Sequence, residues 1–227
     1  MDAVVLDNIE AKINIEELGK KLQIKTDRTE LVVSFKGFVR QALKVARPKA
    51  LYKPVYLDAK SDDTVVIDGI ALRSRVLAVN LADVHRVFPF VATCGNELAD
   101  WAMSKDDILE RFWAHAITDN ALLSAMRVME IHIEQRYLLG KTAVITPGSL
   151  EDWPIQEQSP LFSILGDTEK LIGVRLTEAL MMAPVQSVSG ILFPVEVDFA
   201  TCQLCPRENC PKRRAPYDKD LYDKRFR

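Results

Sequence analysis

Residues Leu176 to Gly190 read LTEALMMAPVQSVSG, and residues Thr146 to Gln158 read TPGSLEDWPIQEQ. These two stretches carry most of what the sequence says about fold and function. The run Thr142–Thr146 is short and β-like, and Pro147-Gly148 ends it. Glycine at 148 allows a backbone to come close to a ligand, so Thr146, Pro147 and Gly148 form a candidate binding loop. Trp153-Pro154 predicts a following helix, because proline fits the first helical turn, and Asp152-Trp153 is expected to cap and bury a helix start. In the other stretch Glu178 is either a partner for a ligand amine or a plain surface carboxylate. Ser187, Ser189 and Gly190 make either a ligand loop or hydroxyl-closed turns. Met181 and Met182 read as core filler. Strand-like runs at Ile172–Leu176 and Ile191–Val197 flank this stretch.

Upstream, Asn8–Leu18 reads as a short amphipathic helix ending at Gly19. Asp27 is the expected N-cap of a helix running to Arg47 and stopped by Pro48. Tyr52–Leu57 and Thr64–Ile67 are expected strands, with Asp68-Gly69 as the turn after the second. Arg75–Val84 reads as a helix, and Arg86–Thr93 as a buried strand, despite Pro89. The longest element is expected over Asp106–Leu139, closed by Gly140. Leu109, Phe112 and Ala116 recur at helical spacing, followed by Leu122, Met126, Met129 and Ile133. Asp119-Asn120 interrupts the stripe and is expected as a kink, with a polar patch as the alternative. Helices and strands are interspersed without βαβ alternation, so the predicted class is α+β in a single domain.

Of the 227 residues 48% are hydrophobic and 27% charged, enough for one sizeable core. Neither a secretory leader nor a membrane-spanning run is present, which leads to the expectation of a cytoplasmic protein without a membrane partner. Residues 201–227 hold eight Lys/Arg and four Asp/Glu, a net charge of +4 on a chain of net −2. That tail is too mixed to argue for nucleic acid. His85, His115 and His132 show no ligand spacing, and no nucleophile–base constellation or phosphate loop is visible, so the catalytic residues stay unassigned.

The stretches TPGSLEDWPIQEQ and LTEALMMAPVQSVSG resemble the S-adenosylmethionine-binding activation domain of cobalamin-dependent methionine synthase. FVATCGNELADW resembles that family's T-x-G turn and following helix, and the resemblance covers residues 1–200. It implies a twisted antiparallel sheet with flanking helices. It also implies a repair role, in which S-adenosylmethionine is presented to an oxidised cobalamin while an electron donor reduces it. The implied partner is a corrinoid (vitamin B12) protein or methyltransferase, and the implied binding residues are Thr146, Pro147, Gly148, Glu178, Ser187, Ser189 and Gly190. The chain departs from the family at two places. Val144 stands where the family has an arginine, and Ser149 where it has a tyrosine. The first change removes a cation and its donors, the second an aromatic surface.

Three of the four cysteines, Cys202, Cys205 and Cys210, fall within nine residues, the last followed by Pro211. Clustering of this kind points to a metal or redox site, either an iron–sulfur cluster or zinc, with Cys94 as a candidate fourth ligand. The resulting expectation is a corrinoid reactivation or methyl-transfer accessory protein, 1–200 forming the domain and 201–227 a Cys-rich tail that supplies an electron. Two alternatives stand beside it: an S-adenosylmethionine-binding activator, and a non-enzymatic interaction protein stabilised by zinc.

Overall fold

A computed structural model of the chain describes residues 2–196, 199–210, 213 and 215–226. It begins with β1 (Val4–Leu6), α1 (Ile15–Lys21) and α2 (Thr29–Val45). The first helix starts later than the sequence pattern predicts. Asn14 caps it, its side-chain oxygen accepting from Glu17 N at 3.1 Å. Residues 8–13 ahead of it form no helix, because Ile9 and Ala11 are buried and Lys12 N donates to Ser124 Oγ at 3.0 Å. Arg28 rather than Asp27 precedes α2, with no side-chain cap bond, and the helix ends at Val45.

Next come β2 (Lys49–Tyr52), β3 (Val55–Lys60), β4 (Thr64–Ile67), β5 (Ile70–Arg73), α3 (Arg75–Asn80) and β6 (Arg86–Thr93). Asp68 and Gly69, both at positive φ, make the predicted β4–β5 turn. The single strand expected over Tyr52–Leu57 is instead two strands lying end to end along β6. This interruption explains Pro89. Its carbonyl accepts from Lys53 N at 3.0 Å, and a strand residue's N–H and C=O point the same way. The donor that proline lacks therefore faces the gap between β2 and β3, where no ladder bond is forfeited.

The chain continues through α4 (Asn96–Met103), α5 (Ile108–Tyr137), β7 (Thr142–Ile145), α6 (Gln158–Leu165) and α7 (Thr168–Ile172). It then forms the small hairpin β8 (Arg175–Leu176) and β9 (Met182–Ala183), the long strand β10 (Ser187–Pro194) and the terminal helix α8 (Leu221–Arg225). The strand expected over Ile172–Leu176 is shortened to Arg175–Leu176, because Ile172 ends α7 and Gly173 makes its left-handed turn. Val197, the end of the expected last strand, lies outside the described residues. All pairings are antiparallel. β6 is central, flanked by β2 and β3 on one side and β10 on the other, with β7 beyond β10. The architecture is the predicted α+β class, a curled antiparallel sheet with flanking helices.

Alternation along β6 divides the core. Val87 and Val91 face a cluster with α3, α6 and Trp153, while Phe88, Phe90 and Ala92 face α5. Helix α5 remains α-helical through Asp119-Asn120, where Asn120 Nδ2 donates back to Ala116 O at 2.7 Å. Its first half is rotated from the expected stripe. Leu109 and Phe112 are exposed, and Trp113, Ala114 and Ile117 are buried instead. Trp113 takes that position because the rings of Phe35 and Phe38 on α2 meet it edge-on at 5.2 and 5.6 Å. Residues of the C-terminal segment pack on the opposite side of the sheet. Phe199 and Phe226 are buried in the Trp153 cluster, and Arg75 Nε donates to Phe226 O at 3.0 Å. No helix among the described residues is long and apolar enough to cross a membrane.

Candidate functional site

The loop between β7 and α6 is closed on itself. Gly148, at φ +77°, donates its N–H to Trp153 O at 2.8 Å, and Ser149 donates both N–H and Oγ–H to Thr146 O. A side chain at 148 would be strained at that φ, and its Cβ would sit 3.0 Å from Ile155 Cδ1. Trp153 is fully buried and anchors the loop to the core. The loop therefore stands as a hydrogen-bonded partition with a cleft on either side.

The inner cleft, about 230 Å³, is lined by Thr146 and Pro147, by Met181 and Met182 of the β8–β9 hairpin, by Ser189 of β10 and by Gln158. Two stretches distant in sequence thus meet in one place. Gln158 forms its floor: the residue is 2% exposed, its Nε2 donates to Ser189 Oγ at 3.2 Å, and its Oε1 has no partner among the described residues. Exchanging the amide's oxygen and nitrogen would leave the nitrogen unpartnered instead. A buried amide atom left unmatched costs about 1–3 kcal/mol, and a ligand donor or acceptor reaching the floor would recover that cost.

The outer cavity is larger, about 890 Å³, and is lined by Gly148, Asp152 and Ile155 on one wall and by Leu204, Tyr217 and Tyr222 on the other. Asp152 ties the walls together. It accepts from Ser74 Oγ, from Val76 N at 2.9 Å and from Tyr222 Oη at 3.2 Å. Asp152 does not cap the helix that follows it; it accepts from Val76 N in the first turn of α3, whose N-cap is Ser74. Desolvation, and next the Asp152 carboxylate, raise the Tyr222 phenol above its ordinary value.

Of the seven binding candidates, Thr146, Pro147 and Ser189 line the inner cleft and Gly148 the outer cavity. Ser187 is spent on Thr93 Oγ1 and Pro184 O, at 2.9 and 2.7 Å. Gly190 serves packing, since a Cβ there would lie 2.5 Å from Ile145 O. Glu178 is exposed on the turn between β8 and β9 and is absent from the lining. Met181, expected in the core, is 55% exposed at the cleft rim. Gln158 was the missed residue. Its only sequence signal is its place at the end of the TPGSLEDWPIQEQ motif, since a lone glutamine declares nothing about burial. Val144 pairs with Leu192 of β10 and does not line the cleft, but it lies two residues before Thr146, which does.

The cysteines do not come together as a four-ligand set. Cys94 is fully buried among α2, α4 and α5, on the face of the sheet away from Cys205, and burial pushes its thiol up to about 12. Among the described residues no three His, Cys, Asp or Glu side chains are grouped to hold a metal ion. The Cys202–Cys210 loop is instead gathered by Arg213. Its guanidinium donates to Cys202 O at 2.9 Å, to Cys205 O at 3.3 Å and to Arg207 O. Pro211 lies outside the described residues.

No protein-family model matches the chain, and no curated protein matches it. Among solved structures it is similar to a crystal structure of the MetH reactivation domain bound to AdoHcy. The two share 15% identity with a TM-score of 0.63, over 88% of this chain and 81% of that one. The likeness establishes that the chain has the activation-domain fold.

Proposed function

We propose that the chain binds a sulfur-linked nucleoside of the S-adenosylmethionine class in the inner cleft and takes part in reactivating a corrinoid protein. The observation that carries this reading is the buried, half-satisfied amide of Gln158 at the floor of a cleft built by both motifs. Support comes from the fold shared with a reactivation domain that binds AdoHcy. In this reading Gln158 and Ser189 meet the ligand's polar edge, and Met181, Met182 and Val188 cover its apolar parts. Val144 supplies no cation for a carboxylate, so binding is weaker than an arginine at that position would allow.

In this reading the electron comes from a separate donor. Iron, sulfide and zinc analysis of the purified protein tests that part, and one equivalent of iron with sulfide on the tail cysteines would overturn it. The main test is calorimetric titration of the full chain with AdoHcy. Binding is expected, and Gln158→Leu is expected to weaken it about tenfold, the loss of one buried hydrogen bond. No heat of binding at millimolar AdoHcy would overturn the ligand assignment. The docking role is read by adding the chain, S-adenosylmethionine and a reductant to a cob(II)alamin-loaded corrinoid protein and following the cobalamin spectrum. An unchanged spectrum would overturn the reactivation role.

A further inference from the structure

A third cavity, about 580 Å³, lies at the opposite end of the sheet, where β6 begins and β10 ends. It is lined by Tyr56 of β3, Arg86 at the start of β6, the Leu139–Lys141 segment after α5, and Arg225 of α8. The charged and titratable groups around it are Arg86, Lys141, Arg225 and His85, with Asp83 and Glu196 of opposite sign. Arg86 is the unusual member. Its guanidinium carbon lies 5.0 Å from the Tyr56 ring centroid and 5.5 Å from that of Tyr137, so two aromatic rings hold it. One terminal nitrogen donates to Tyr56 Oη at 2.6 Å. Among the described residues its buried Nε has no partner, and no carboxylate lies within salt-bridge distance of the guanidinium.

A guanidinium carries a full charge and five donors in a planar fork matched to carboxylate and phosphate oxygens. Held in place by tyrosines and with no carboxylate of the described residues paired to it, it is a preorganised anion receptor. Arg225 adds a second cation held in position, its guanidinium 5.5 Å from the Phe199 and Phe226 centroids and bonded to Asn80 Oδ1 at 3.3 Å. The cavity's volume is in the range of small-molecule sites. We infer that this cavity is a second binding site, taking a small molecule through an oxyanion that pairs with the Arg86 fork. It is independent of the inner cleft and of the function proposed for it.

The test is calorimetric titration of the full chain with two probes, pyrophosphate and citrate, at low salt and again at 0.5 M sodium chloride. Saturable binding of at least one probe is expected, weakened by salt because the contact is ionic. Preference for pyrophosphate identifies a phosphate ligand, and preference for citrate a carboxylate. Arg86→Gln is expected to weaken the preferred probe tenfold or more, and Arg86→Lys by a smaller factor, since it keeps the charge but loses the fork. Asp83→Asn, which leaves the tyrosine shelf intact, is expected to tighten binding about twofold by removing a like-charged rim group. It also serves as the readout if Arg86 variants fail to fold. AdoHcy titration is expected to be unchanged in all three variants, which separates this site from the inner cleft. No saturable binding of either probe, or binding indifferent to both Arg86→Gln and Asp83→Asn, would overturn the inference.

Discussion

The two clefts on either side of the Thr146–Trp153 loop share a partition but are built differently. The inner cleft is small and its floor is the folded core itself, Gln158 bonded to Ser189 of the long strand β10. The outer cavity is nearly four times larger, and one of its walls is brought from the far end of the chain by Tyr217, Tyr222 and Leu204. The first is therefore as rigid as the sheet, whereas the second lasts only while the C-terminal segment stays docked. A ligand that depends on fixed geometry belongs in the first.

The largest test of that contrast is Phe226→Ala. It empties a fully buried site that seats the C-terminal segment. A loss of about 3–5 kcal/mol is expected in urea unfolding, as for other buried Phe→Ala changes. Proteolysis should release the segment, yet AdoHcy binding below the melting transition should persist. If binding is lost together with the segment, the two clefts are not separable.

Gly190→Ala attacks the inner side. Its Cβ would meet Ile145 O at 2.5 Å and force β7 away from β10. Overpacking of this kind costs about 1–3 kcal/mol. Here AdoHcy binding should fall along with stability, the reverse of the pattern for Phe226→Ala.

Asp152→Asn loosens the tie between the outer walls, weakening the bonds to Ser74, Val76 and Tyr222. A loss of about 1–2 kcal/mol is expected, within the range for hydrogen bonds to a charged group. Spectroscopic titration should show the Tyr222 phenol ionising at lower pH than in the parent chain, because a carboxylate that raises it has gone. AdoHcy affinity should be unchanged.

Joint substitution of Val144→Arg and Ser149→Tyr sharpens the inner cleft. An arginine at 144, two residues before the cleft-lining Thr146, offers a charge-assisted bond to a ligand carboxylate, and AdoHcy is expected to bind about tenfold tighter. Failure of the pair to improve binding would show that these two positions do not limit affinity.

The smallest effect at neutral pH concerns Cys94, whose N–H is bonded to Gln186 O behind the inner cleft at 3.0 Å. Burial raises its folded thiol to about 12, against an ordinary value near 9. A raised thiol contributes stability that is fully present below pH 9 and is lost as pH rises towards 12. Unfolding curves should show this alkaline decline, and Cys94→Ala should flatten it. A thiol reagent at pH 8 should leave Cys94 unlabelled in the folded chain.

Much of the scaffold could be read because short-range signals agreed with the final packing. The Asp68-Gly69 turn, the β4 run and the helix following Pro154 each follow from local chemistry. The errors came where a distant partner outweighed the local pattern. Lys12 bonds to Ser124 across the molecule, so the segment after Asn8 forms no helix before Ile15 although its pattern is helical. Trp113 follows the rings of Phe35 and Phe38, so the first half of α5 turns Phe112 to solvent. Of the candidate site, Thr146, Pro147 and Ser189 were legible through their motifs. Gln158 was not, because its importance lies in being buried with half an amide unmatched.

The sequence by itself determined the α+β class and the two motifs that build the inner cleft, because periodicity, turn residues and motif spacing are properties of neighbours along the chain. Only the tertiary structure decided which motif residues face that cleft, that Cys94 is sealed from the tail cysteines, and that Arg86 stands without a counter-ion among the described residues. Those outcomes depend on which side of a shared sheet each side chain takes and on what the rest of the chain places opposite it, and no local pattern encodes that.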